Sequence, residues 1–224
     1  MTSAGPVPPD WAATARGLPG ADRLTYPAAL LGLSSVCACA DHGAAPEGYL
    51  GLTRWAVVGE GVAELAAAGD LLLSGQVHRR AGAPLSRGGR ALGHRTADVH
   101  DAGGPPPLSP GDVVTVHFLG LRCPCLVLDV ERTDQDVRMT YGTLPGHVEI
   151  GEESFSLRLG ADGRVIATVS AFSLPGHPLT RFAGAAGRAV QRWMTGRYVR
   201  ALQPDGAAAR RRRRRLIQRR GGLV

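Results

Sequence analysis

The chain contains no lysine and no asparagine, and all 26 of its basic residues are arginine. A choice so uniform reads as a preference for GC-rich codons, and it weakens any argument from guanidinium chemistry at single positions. No segment approaches the run of about 18 apolar residues that a membrane-spanning helix needs. The N-terminus opens on Thr, Ser, Gly and Pro and lacks the basic-then-apolar order of a secretory signal. A cytoplasmic location with reduced thiols is therefore expected. Cysteine is sparse, with four residues in two pairs, Cys37-Ala-Cys39 and Cys123-Pro-Cys125. Structural zinc favours about two to four residues between paired cysteines, so this spacing points to buried free thiols rather than a four-thiolate site. There is no Gly-x-Ser-x-Gly and no phosphate-cradling loop, and Ser170 and Ser173 lack nucleophile-elbow spacing, which argues against covalent catalysis. No metal and no cofactor is implied.

What is present suits one domain: 224 residues at 44% hydrophobic can bury a single substantial core. The net charge of +7 is a local feature. Eight arginines lie in Arg210–Arg215 plus Arg219 and Arg220, and without them 18 basic residues face 19 acidic ones. Residues 205–224 read as a disordered arginine-rich tail, able to touch nucleic acid or an anionic surface only through residues 210–220. No aromatic interleaves with these arginines, so the stacking platforms of single-strand binders are missing. Residues 1–22, rich in Pro, Gly and Ala, read as a flexible arm, leaving 23–204 as the domain.

The period of apolar residues sets the order of elements. Tyr49–Val58 has strand composition. From Glu60 the residues Val62, Leu65, Ala66, Gly69, Leu72 and Leu73 mark one helix stripe, expected to run to about His78. Residues 79–110 read as a mobile loop or a flap with irregular strand content. Five strands follow: Val113–Phe118, Cys123–Glu131, Val137–Tyr141, Ser154–Leu159 and Val165–Phe172. Turn residues separate them, Asp162-Gly163 being the clearest hairpin signal. After Pro178 a helical period returns through Leu179, Phe182, Ala183, Ala186, Val190, Trp193, Met194 and Ala201, to end near Pro204. Consecutive strands joined by short turns form an antiparallel sheet, so the expected fold is α+β: a curved antiparallel sheet packed on a long C-terminal helix.

The densest chemistry lies between Tyr141 and Phe155. Strand alternation places Glu153, Phe155 and Leu157 on one face and Glu152, Ser154 and Ser156 on the other, so one glutamate of the pair looks into the concave side. A carboxylate buried there would have its pKa raised and could act as general acid or base with His147 as partner. The plainer alternative is that the acid caps loop amides and His147 braces the turn. His147, Glu152 and Glu153 are the candidate catalytic residues. Tyr141, Thr143, Glu149, Ser173, Arg79 and Trp193 are the candidate ligand contacts. His78-Arg79-Arg80 could hold an anionic headgroup or simply complement a helix C-terminus.

Tyr-Gly-Thr-Leu-Pro-Gly-His at 141–147, Gly-Glu-Glu-Ser-Phe at 151–155 and Ala-Phe-Ser at 171–173 resemble the signature of domain-of-unknown-function family nineteen-ninety. The resemblance extends over about residues 24–202 and departs from the pattern at Gly75, where a tryptophan is expected. It implies a helix-grip, START-like appearance and carries no activity. The expected function is binding of a small apolar or amphipathic molecule between sheet and C-terminal helix. The alternatives are a cyclase- or hydratase-like acid–base reaction on such a ligand, or an interaction module whose tail docks on nucleic acid.

Overall fold

The structure, a computed structural model, describes residues 9–37, 45–92, 106–176 and 178–205. The tail arginines, Cys39, Asp41 and His42 lie outside them, as do the side chains of Cys37 and Phe182. One antiparallel sheet of eight strands organises the described residues. In chain order the strands are β1 (Leu50–Glu60), β2 (Leu85–Arg87), β3 (Arg90–Ala91), β4 (Val113–Phe118), β5 (Leu121–Arg132), β6 (Asp136–Thr143), β7 (Glu149–Leu159) and β8 (Arg164–Pro175). Across the sheet the order is β1-β8-β7-β6-β5-β4-β2-β3. From β4 to β8 every strand pairs with its sequence neighbour, as short turns require. The Asp162-Gly163 hairpin sets Leu159 opposite Val165.

Two layers of chain cover the two faces. On the inner face lie α3 (Val62–Leu73), α4 (Gln76–Ala81) and α5 (Pro178–Ala201), which enclose Val137, Met139, Phe155, Leu157, Val165, Ala167 and Val169. This is an α+β fold in which a curved sheet grips its C-terminal helix. On the outer face, the short helices α1 (Trp11–Ala15) and α2 (Leu33–Cys37) and the turns between them cover Leu126, Leu128, Leu144 and Phe172. Phe155 and Phe172 point to opposite faces at 0% and 1% exposure, and burying each side chain stabilises the fold by about 1.5–3 kcal/mol.

Three expectations need correction, and for residues 79–110 the alternative with irregular strand content is the one observed. Residues 9–22 are seated rather than loose: Ala12 and Ala15 are 1% exposed against the outer face. The helix expected to reach His78 is broken, because Gly75 takes φ 76° and separates α3 from α4. Leu72, Leu73 and Val77 are buried on both sides of the break, so the apolar period continued through it. Part of 79–110 is ordered: β2 pairs with β4 through Leu85 and Val116, and β3 adds a two-residue edge. The stripe on α5 is only partly covered. Met194, Tyr198, Val199, Ala201 and Leu202 reach the core, whereas Ala186, Val190 and Trp193 face outward and the backbone is non-helical at Gly184.

Candidate functional site

The signature stretch divides by strand alternation into an outer clamp and an inner cluster. Glu152 points outward and is 3% exposed. Its carboxylate accepts from Tyr26 Oη at 2.8 Å, Gly32 N at 2.9 Å, Ser34 N at 3.1 Å and Ser34 Oγ at 2.6 Å. These four donors hold the N-terminal segment onto β7. Burial pushes the Glu152 pKa up and its four donors pull it back. Gly142, opposite Glu152 on β6, makes room for the segment, since a Cβ there would sit 2.6 Å from Tyr26 Oη. Thr143 joins the same clamp: its Oγ1 accepts from Gly151 N at 2.9 Å and its carbonyl accepts from Thr25 N at 3.1 Å. Tyr26 also stands edge-on to Phe172, at 5.6 Å between ring centroids.

Glu153 points inward and accepts from Tyr141 Oη at 2.5 Å. Tyr198 of α5 packs beside this pair, its ring 5.2 Å from Phe155, so two tyrosines and a carboxylate gather at the sheet–helix boundary. Removal from water pushes Glu153 up to about 7, and the Tyr141 hydrogen bond only partly offsets it. Burial raises both tyrosines well above their ordinary range. Beside this group lies His78, fully buried, with its ring 5.0 Å from Tyr198, 5.2 Å from Phe155 and 5.9 Å from Tyr141. Neither ring nitrogen of His78 has a hydrogen-bond partner among the described residues. Burial lowers its pKa to about 3, so the ring is neutral. A buried polar group without a partner costs free energy, and such groups gather where something else is meant to meet them. Cys123 and Cys125 line the same interior, and burial raises their thiols, which keeps them protonated.

At the rim, the Pro145-Gly146 turn is closed by His147 N donating to Leu144 O at 3.1 Å. His147 Nδ1 then accepts from Glu149 N at 2.9 Å, and burial lowers the ring to about 4. Ser173 and Gln191 sit beside the Glu149 carboxyl, and burial pushes it up to about 7. Gln191 Nε2 donates to Ser173 Oγ at 3.0 Å, which ties α5 to the end of β8. Glu149 and Glu153 share a strand face four residues apart, roughly 13 Å along β7.

The structure therefore brings together Tyr141 with Glu153, and Glu149 with Ser173. It does not bring His147 to Glu152 or Glu153: the imidazole is engaged by the turn backbone, and Glu152 sits on the opposite face. Thr143 belongs to the outer clamp. Arg79 is exposed on α4, and Trp193 is 51% exposed, under Arg197 and 6.4 Å from Phe118. Sequence reasoning missed Tyr198 and His78 as neighbours of the Tyr141 and Phe155 rings beside Glu153. Both fall on helical positions with apolar neighbours, and only the packing of α4 and α5 joins them to β7.

A family model described as a domain of unknown function, DUF1990, matches residues 34–201. The chain belongs to the DUF1990 family. The match begins at Ser34, so it takes in Glu152, Thr143 and the inner cluster and leaves the clamp donors Thr25, Tyr26 and Gly32 outside it. A UPF0548 protein of Deinococcus radiodurans is 44% identical over 62 residues, 28% of this chain and 31% of that protein. The chain thus matches about a third of the length of that curated relative. Among solved structures, hypothetical protein jhp0584 from Helicobacter pylori is similar at 10% identity and TM-score 0.49, over 70% of this chain and 86% of that one. The ginseng major latex-like protein 151 from Panax ginseng is similar at 13% identity and TM-score 0.40, over 69% of this chain and 97% of that one. At such scores the fold of this DUF1990 chain rests on its own strand order and helix placement. No helix among the described residues is long and apolar enough to cross a membrane.

Proposed function

We propose that this DUF1990 domain holds a small apolar or amphipathic molecule between the inner face of the sheet and α5, with the polar end of the molecule at Glu153, Tyr141, Tyr198 and His78. One observation carries the reading: a hydrogen-bonded Tyr141–Glu153 pair, with Tyr198 and an unpartnered imidazole beside it, is set in an otherwise apolar interior. Ligand sites combine apolar walls with a few convergent polar groups in this way. The uncovered stretch of α5 around Val190 and the bend at Gly184 support entry from that side. The test is native mass spectrometry of the freshly purified protein together with displacement of the neutral dye Nile red. A co-purifying small molecule, and dye binding weakened in Tyr198→Ala but kept in Ser109→Ala, are the expected results. A folded protein that carries nothing and binds no dye overturns the reading.

Acid–base catalysis on such a ligand is the second reading, and the carboxyl of Glu153 at about 7 favours it, since a group titrating near neutrality can both give and take a proton. In this reading Glu153 is the acid–base residue, Tyr141 its relay, and His147 and Glu152 act only on the architecture. Turnover abolished in Glu153→Gln with Nile red binding intact is expected. Turnover that survives both Glu153→Gln and Tyr141→Phe rules catalysis by this chain out.

A further inference from the structure

A second place on the molecule has a different chemistry. Where the end of α4 meets the end of α5, a hollow of about 520 Å³ opens, with Arg80, Arg197 and Arg200 in its walls and Gln203, Pro204 and Asp205 at its edge. Its size falls within the range of small-molecule sites, but its lining is cationic rather than apolar.

The three guanidinium groups are held in different ways. Arg197 Nε donates to Ala81 O at 2.5 Å, and its plane lies over the Trp193 ring at 4.9 Å. One edge of the fork is thus anchored while Nη2 lies beside Gly82, where a Cβ would come within 3.2 Å of it. Arg200 lies three residues on, one turn along the same helix face, and is exposed. Arg80 spans the other wall, donating through Nη1 to Gln203 O at 3.3 Å and through Nη2 to Asp205 Oδ2 at 2.8 Å.

Charge counting decides what is missing. Three cations face one carboxylate, and the two helix C-termini that meet here add roughly half a negative charge each. About one positive charge is left without compensation. The Asp205 side chain is 75% exposed, and an ion pair so open to water is worth little, so a better anion can take its place on Arg80. Arginine forks bind phosphate through paired charge-assisted hydrogen bonds.

We infer that this hollow is a binding site for a phosphate group, either free in a small phosphorylated molecule or in the headgroup of a lipid. It is separate from the interior between sheet and α5 and stands whether or not that interior takes a ligand. The experiment is titration of the full chain with pyrophosphate, and in parallel with phosphatidylcholine vesicles doped with phosphatidic acid. Arg200→Gln changes an exposed side chain and should weaken binding about ten-fold, the loss of roughly one charge-assisted hydrogen bond. Asp205→Asn removes the competing carboxylate and should tighten it a few-fold. Binding to pyrophosphate assigns the soluble source, and binding to vesicles alone assigns the lipid. A third full-length variant with Arg210–Arg215 changed to serine controls for the tail. The inference fails if neither probe binds, or if affinity is unchanged in Arg80→Gln/Arg200→Gln and lost in the serine-tail variant. Circular dichroism matching the parent shows that each variant is folded.

Discussion

Glu153 and His78 both stand beside Tyr141, and removal from water moves them in opposite directions: the acid up to about 7 and the base down to about 3. Their effects on stability should have opposite signs with pH. Below about 4.5, the ordinary carboxyl value, Glu153 is protonated in both folded and unfolded chain and adds no penalty. As pH rises from there to about 7, the unfolded chain releases a proton that the folded one keeps, so the folded state loses stability. For His78 the unfolded ring charges below 6.5 while the folded ring stays neutral until about 3, so that stability is lost as pH falls. Glu153→Gln keeps an acceptor for Tyr141 and removes the titration. Its melting temperature relative to the parent should climb between pH values of about 4.5 and 7 and then level off. For His78→Leu the same difference should grow as pH falls below about 6.5. Thermal scans across this range read both, and two curves that slope the same way would contradict the assigned protonation states.

At the scale of elements, the β4–β5 connection shows where local chemistry and function part company. Phe118 lies directly opposite Leu121, leaving a two-residue loop of Leu119 and Gly120 with φ of 49° and 78°. Positive φ at both central positions is the hairpin geometry that favours Asn-Gly, and a leucine there is strained as well as 78% exposed. Leu119→Asn should stabilise the protein by about 0.5–1 kcal/mol in urea denaturation, with the slope unchanged. Stability that falls instead would mean the leucine makes a contact that offsets its strain. Turn chemistry of this kind is what made β4–β8 legible in sequence, since Gly120 and the Asp162-Gly163 pair carry their own signals. The α3–α4 break was not legible, because the apolar period runs on through Gly75. Nor were β2 and β3, three and two residues long, which exist through pairing with a strand some thirty positions away.

Over the whole molecule, the sheet is the middle of a sandwich, and what covers its outer face could not be read in advance. Alternation along β7 correctly sent Glu152 and Glu153 to opposite faces. The partners of Glu152 lie 118 to 126 residues earlier, in a segment whose small side chains show no helical or strand period. That segment buries a second hydrophobic cluster around Phe172 and Leu128, and Glu152 is the polar bolt through it. Glu152→Ala would leave Tyr26 Oη, the amides of Gly32 and Ser34 and the Ser34 hydroxyl without their acceptor in a buried place. Losing several bonds to one buried carboxylate should cost about 3 kcal/mol. The loss should also be uneven, because the four hydrogen bonds of this carboxylate all run to the N-terminal segment. In limited proteolysis the variant should be cut first between residues 9 and 37, at protease levels that leave β4–β8 intact. Cleavage that begins at α5, or everywhere at once, would show that the N-terminal layer is not a separable cover and that Glu152 supports the inner core directly.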